Sequence, residues 1–229
     1  MSAKCAMCGK QVASGLTLRK FFDFRNREEE ICDECKGGVV KLVGSSANCN
    51  FCLASLLDIE KDDQICLQCK RRKALFVHHP IFIYTEKLKD FFERYKFLGD
   101  AKLARVFRDA LRERFGEFDD FVVVPVPSDY NRLRQRRFSP VELLLQEAGV
   151  RYVNCLQKLN SSAKQSDKSL DERWKNDGEY AFSQDYIDDI KDKKVVIFDD
   201  VMTTGSTIDK CAQTMIGYVK EMVSISLAR

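Results

Sequence analysis

At 229 residues, 45% of them apolar, the chain has the length for one domain of ordinary size plus a small extra module, and the material for a real core. Its net charge of +3, from 38 basic and 35 acidic residues, excludes an overall electrostatic drive toward nucleic acid or membrane, so any basic surface has to be local. No stretch approaches the roughly 20 apolar residues needed to span a bilayer. The start MSAKCAMCGK also lacks the apolar core of a secretion signal, so a cytoplasmic location without membrane insertion is expected.

In a reducing compartment, ten cysteines argue for metal binding over a disulfide framework. Eight of them form four C-x-x-C knuckles, Cys5/Cys8, Cys32/Cys35, Cys49/Cys52 and Cys66/Cys69. Two residues between ligands let one tight turn offer both sulfurs to a single ion, and eight thiolates make two closed, structural four-thiolate zinc sites. Sequential pairing gives two zinc ribbons and interleaved pairing a cross-brace; both stay open, although the separations suit ribbons. A thioredoxin-like redox pair would not account for four knuckles in one segment. The rest of this segment holds turn-like SGL, KGG and VGSSAN stretches and little apolar periodicity, so metal must serve as its staple. Residues 1–73 are therefore expected to form a double zinc-binding module, and loss of zinc to unfold that module while sparing residues 74–229.

Beyond the boundary, ALFVHHPIFIYT (74–85) predicts strand structure interrupted at Pro80. EKLKDFFERYKFLGD (86–100) and AKLARVFRDALRERF (101–115) carry apolar residues at helical spacing and predict two amphipathic helices. FVVVPVPS (121–128) has the continuous apolar look of a buried parallel strand, and PVELLLQEAGV (140–150) that of a helix capped at Ser139 and ended by Gly149. From Leu156 to Gln184 the pattern lapses into a long polar loop. KKVVIFDD (193–200), TIDKCAQTMIGYVK (207–220) and EMVSISLA (221–228) then predict strand, helix and strand. This alternation implies an α/β domain with a mostly parallel sheet, in which Cys155 and Cys211, lacking knuckle partners, serve as small core residues.

The most informative segment is VVIFDDVMTTGST (195–207). Thr203, Thr204, Gly205, Ser206 and Thr207 form a hydroxyl-rich turn at a helix start, where backbone N–H groups and the helix dipole favour an anion such as phosphate. Asp199 and Asp200, at the strand's carboxyl end, are placed to accept hydrogen bonds from the vicinal hydroxyls of a sugar attached to that phosphate. Alone, the acids would mark a strand end and the turn a helix cap; adjacent and in this order they are specific.

The segment resembles the phosphoribosyl-pyrophosphate (PRPP) motif of type I phosphoribosyltransferases. That resemblance implies ribose binding by Asp199 and Asp200, 5-phosphate binding by residues 203–207, and Mg2+ accompanying the pyrophosphate. YKFLGD (95–100), PVPSDYNRLRQRRF (125–138) and KQSDKSLDERWKN (164–176), set between the knuckles and the PRPP motif, extend the resemblance over the whole chain to the ComF family of competence-associated proteins, ComFC type. It implies a type I phosphoribosyltransferase-like domain behind a double zinc ribbon, and action in uptake or cytosolic handling of transforming DNA, with single-stranded DNA and a helicase-like protein as partners. Arg136, Gln165 and Arg173 fit positions where the family carries Arg, Gln and Arg. The family's R-G-F-N-Q appears here as Arg136, Arg137, Phe138, Ser139 and Pro140, and Lys158 stands for an arginine, supplying a point charge in place of a bidentate fork.

NRLRQRR (131–137) and KRRK (70–73) are the local basic stretches, able to contact pyrophosphate or a nucleic-acid backbone, or else simply solvated surface. Phe76, His78, His79, Phe82 and Tyr84 are divided by strand alternation between core and possible base stacking. Besides the competence reading, two others stand: a biosynthetic or salvage phosphoribosyltransferase, and a nonenzymatic adapter.

Overall fold

The computed structural model describes residues 3–12, 31–57, 62–159, 174–176 and 179–229. Gln165 and Arg173, expected from sequence to match the family's Gln and Arg, lie outside them.

In the module, strands β1 (Ala3–Lys4) and β2 (Gln11–Val12) pair antiparallel around the first knuckle. The short helices α1 (Asp33–Gly37) and α2 (Leu67–Arg72) each start directly after a cysteine, Cys32 and Cys66. The α/β part follows with β3 (His78–Phe82), α3 (Glu86–Phe92), α4 (Arg108–Gly116), β4 (Val122–Pro125), α5 (Tyr130–Arg136), α6 (Pro140–Ala148), β5 (Leu156–Lys158), β6 (Trp174–Asn176), β7 (Tyr180–Ser183), α7 (Ile187–Ile190), β8 (Lys194–Val201), α8 (Ser206–Met215) and β9 (Glu221–Ala228).

Four strands form one wholly parallel sheet in the order β3-β9-β8-β4. Both faces are covered, which is why its strands read as continuous apolar runs. Val196 and Phe198 of β8 join the core beneath α3, α4 and α6, while Val195 and Ile197 join the core beneath α8. Ser224 and Ser226 of β9 are buried, and His78 of β3 bonds both: its Nδ1 lies 2.8 Å from Ser224 Oγ and its Nε2 2.9 Å from Ser226 Oγ. Burial holds His78 well below the ordinary histidine pKa, so it is a neutral core group. Phe76 and Phe82 are buried too, leaving Tyr84 as the exposed aromatic of that stretch. Cys155 and Cys211 are fully buried, as expected of core thiols.

Pro80 does not interrupt β3; it sits within an edge strand, where a missing N–H costs least. The predicted helix over 86–100 is regular only to Phe92, from the Thr85 cap, and then widens into a π-type turn over Glu93–Phe97 before Gly99 at φ +71° ends it. The next helix begins as a tight 3-10 stretch, Ala101–Phe107. Ser139 and Gly149 cap α6 as read from sequence. The arginine-rich run forms α5, capped by Asp129, whose carboxylate accepts from the N–H groups of Asn131 and Arg132. The span from Leu156 to Gln184 is not all loop: β5 and β6 flank β7 in a small antiparallel sheet.

The module docks on the outer edge of β3. Phe51 O accepts from His78 N (2.6 Å), Val40 O from Ile83 N (2.9 Å), and Leu42 N donates to Ile81 O (2.9 Å). An edge that would otherwise be a template for pairing is thus covered. Among the described residues no helix is long and apolar enough to cross a membrane.

Candidate functional site

In an open parallel sheet, ligand sites lie beyond the carboxyl ends of the strands. β4 and β8 are neighbours with Pro125 opposite Phe198, so the loops leaving them, 126–129 and 202–205, flank one cleft. Its volume is ≈ 680 Å³, within the range of small-molecule sites. Asp199, Asp200, Thr203 and Thr207 line it, and Arg136 of α5 and Lys158 of β5 come to it from either side. Thr204, Gly205 and Ser206 complete the turn into α8, with Gly205 at φ +83° as the cap residue. The close approach that Gly205 permits is that of the Arg72 guanidinium: a Cβ there would meet it at 3.0 Å.

Lys96, quoted within YKFLGD but given no role from sequence, is the residue that reading missed. It issues from the π-type turn, and its Nζ lies 2.6 Å from Asp200 Oδ1 and 4.8 Å from the centre of the Phe92 ring. The available signal was a lysine on the apolar stripe that holds Phe91, Phe92 and Tyr95. Lys89 and Arg132 also line the cleft, giving five cations with Lys96, Arg136 and Lys158. Lys158 lies over the Tyr180 ring at 5.8 Å, so the small antiparallel sheet walls the cleft.

Burial, reinforced by the adjacent Asp200 charge, pushes the Asp199 carboxyl up to about 7. Between about pH 4 and 7 the folded protein then holds this proton more tightly than the unfolded chain does, an advantage present at low pH and lost as the pH rises through 7. Asp199→Asn should therefore raise the melting temperature at pH 8 by several degrees, with the gain fading toward pH 5. A pH-independent difference in thermal scans would contradict this.

The knuckles resolve into two groups, Cys5/Cys8/Cys32/Cys35 and Cys49/Cys52/Cys66/Cys69, with all four ligand atoms of each within 4.8 Å of one another. The pairing is thus sequential, giving a zinc-ribbon-like module. Sulfurs on a tetrahedral zinc at about 2.3 Å would stand about 3.8 Å apart; Cys8 and Cys32 are 3.6 Å apart, as are Cys52 and Cys66. Backbone N–H groups point at the sulfurs as a thiolate requires, Cys32 N to Cys5 Sγ and Cys66 N to Cys49 Sγ, both at 3.3 Å. Both groups can hold zinc.

Each group touches a different part of the α/β unit. Arg94 donates to the carbonyls of Ala6 (3.2 Å) and Met7 in the first knuckle and to Asp100 Oδ2 (2.8 Å), bracing the turn that carries Lys96. The second group meets α8 through Arg72, which is neither solvated surface nor a free nucleic-acid contact.

No family model matches the chain. A protein of Bacillus subtilis (strain 168), competence protein ComFC, is 24% identical over 237 residues, spanning 98% of this chain and 94% of that one. The competence protein ComFC of Streptococcus pneumoniae (strain ATCC BAA-255 / R6) is 30% identical over 228 residues, which is 99% of this chain and 100% of its own. With knuckles, parallel sheet and acidic strand end all inside a relationship that runs the length of both proteins, the chain belongs to the ComFC family of competence proteins.

Proposed function

We propose that the cleft binds PRPP or a related ribose phosphate, and that the protein acts in DNA uptake during natural transformation, handling single-stranded DNA in the cytoplasm beside a helicase-like partner. The observation that carries the reading is the meeting of two strand-end carboxylates, Thr203 and Thr207 from the two ends of the hydroxyl-rich turn, and a set of cations in one cleft. Asp199 and Asp200 would take the ribose hydroxyls, residues 203–207 the 5-phosphate, and Arg136, Lys158 and Lys96 the pyrophosphate. On this reading Lys96 holds Asp200 in the ligand-free protein and turns to the pyrophosphate when the sugar arrives. Mg2+ would supply charge neutralisation on the pyrophosphate. Residues 1–73 form the zinc module, with one structural ion in each four-cysteine group, and 74–229 the phosphoribosyltransferase-like domain.

For single-stranded DNA, aromatic rings and guanidinium groups sit side by side on and next to α5, and of these the Phe97–Arg136 pair lines the cleft. Tyr130 is 54% and Phe97 74% exposed, with Arg134 5.9 Å from the first ring and Arg136 5.5 Å from the second. Stacking rings beside arginines suit unpaired bases on a charged backbone. Binding of a single-stranded oligonucleotide should weaken as salt rises, and Arg134→Ala with Arg137→Ala should lower both the affinity and the salt slope. Absence of DNA binding even at low salt would overturn this part of the proposal.

A genuine phosphoribosyltransferase is the second reading, favoured by the wall of Lys158 and Tyr180, which could seat an acceptor base beside the ribose. Pyrophosphate release from PRPP separates the two. Turnover with a small base or amine and no DNA binding would replace the competence reading with the metabolic one.

A further inference from the structure

The KRRK run ends α2, the helix that starts at Cys66 and carries Cys69. Its basic residues do not share one environment. Lys70 pairs with Asp63 at the surface (2.8 Å). Arg72 instead turns inward, its side chain 13% exposed, to a partner 137 residues further along the chain. Its Nη1 donates to Asp209 Oδ1 at 2.5 Å and its Nη2 reaches Cys69 Sγ at 3.5 Å. The same guanidinium lies against the bare backbone of Gly205, whose left-handed conformation and missing Cβ leave the space it fills. Asp209, one turn into α8, donates its own N–H to Gly205 O (3.0 Å). Arg72 Nε is buried with no hydrogen-bond partner among the described residues, a cost that a solvated arginine would not bear.

Resting on the phosphate-loop reading above, we infer that Arg72 is a positioning residue: it fixes the 203–207 turn and makes the order of that turn depend on the Cys49/Cys52/Cys66/Cys69 centre. Cys69 and Arg72 stand one turn apart on a helix of six residues, too short to persist unaided. With Cys66 and Cys69 held by an ion, the helix is fixed at its start and middle, and the guanidinium is delivered to Gly205 and Asp209 as a rigid strut. Without the ion the helix frays and the strut goes with it. A lysine could supply the charge but not the planar fork that meets sulfur and carboxylate together. The first four-cysteine group braces the Lys96 turn instead and should leave 203–207 untouched.

The test uses full-length protein with its zinc content measured. In ligand-free Arg72→Ala retaining two zinc ions, amide hydrogen exchange at 203–207 should quicken about tenfold, and likewise in Cys52→Ser, which disables the second centre, but not in Cys8→Ser, which disables the first. Arg72→Lys should fall between wild type and Arg72→Ala. By calorimetry, Arg72→Ala should weaken ribose 5-phosphate about tenfold and leave inorganic pyrophosphate unchanged, a split that general destabilisation would not produce. Unchanged exchange at 203–207 in zinc-replete Arg72→Ala would overturn the inference, as would equal weakening of both ligands. If wild-type protein binds neither ligand, the phosphoribosyl reading fails, and the exchange rates still decide whether Arg72 couples the two sites.

Discussion

Replacing Asp199 and Asp200 together by Ala should lower the affinity for PRPP at least about a hundredfold, since hydrogen bonds to charged groups contribute about 1.5–3 kcal/mol each and two are lost. The fold should survive, because both acids sit at the strand end where β8 meets the cleft. Affinity for inorganic pyrophosphate should hold or rise, because the substitution removes the cleft's acidic pair and frees Lys96 from Asp200. Loss of pyrophosphate binding in parallel with PRPP would mean that the acids hold the cleft together without contacting the sugar.

Stripping zinc should lower the melting temperature of the whole chain by more than about 10 °C, because a structural zinc site contributes folding energy outright. The sequence alone led to a narrower expectation, the module unfolding by itself. The contacts explain the difference. Phe51, Val40 and Leu42 cover the edge of β3, and Cys5, Met7 and Cys35 share a core with Ile81, Phe91 and Phe92. Losing the ribbons would bare that edge and that apolar surface at once. A main thermal transition that stays in place after chelation would contradict this. Elemental analysis should find two zinc ions per chain in freshly reduced protein.

What could be read from the sequence was what is local in it. Each C-x-x-C knuckle is complete within four residues, and the acids and the phosphate turn follow one another in a single stretch, so their chemistry survives without coordinates. The buried strands were equally plain, because a parallel sheet covered on both faces leaves unbroken runs such as VVIF. The pairing of the knuckles was not, since either arrangement satisfies the same spacings. Nor were β5 to β7, whose three or four residues are too few to show alternation. Lys96 looked like one more charge on an amphipathic helix until the π-type turn aimed it at Asp200. Arg72 looked like surface because its partners Gly205 and Asp209 are far along the chain.

The central claim is that this cleft is a phosphoribosyl site, and calorimetric titration of the zinc-loaded wild-type protein with PRPP in the presence of Mg2+ tests it most directly. Saturable binding near one equivalent per chain, weakened in the Asp199→Ala/Asp200→Ala protein, is the predicted result. No heat of binding up to millimolar PRPP, or binding that the double substitution leaves unchanged, would contradict it.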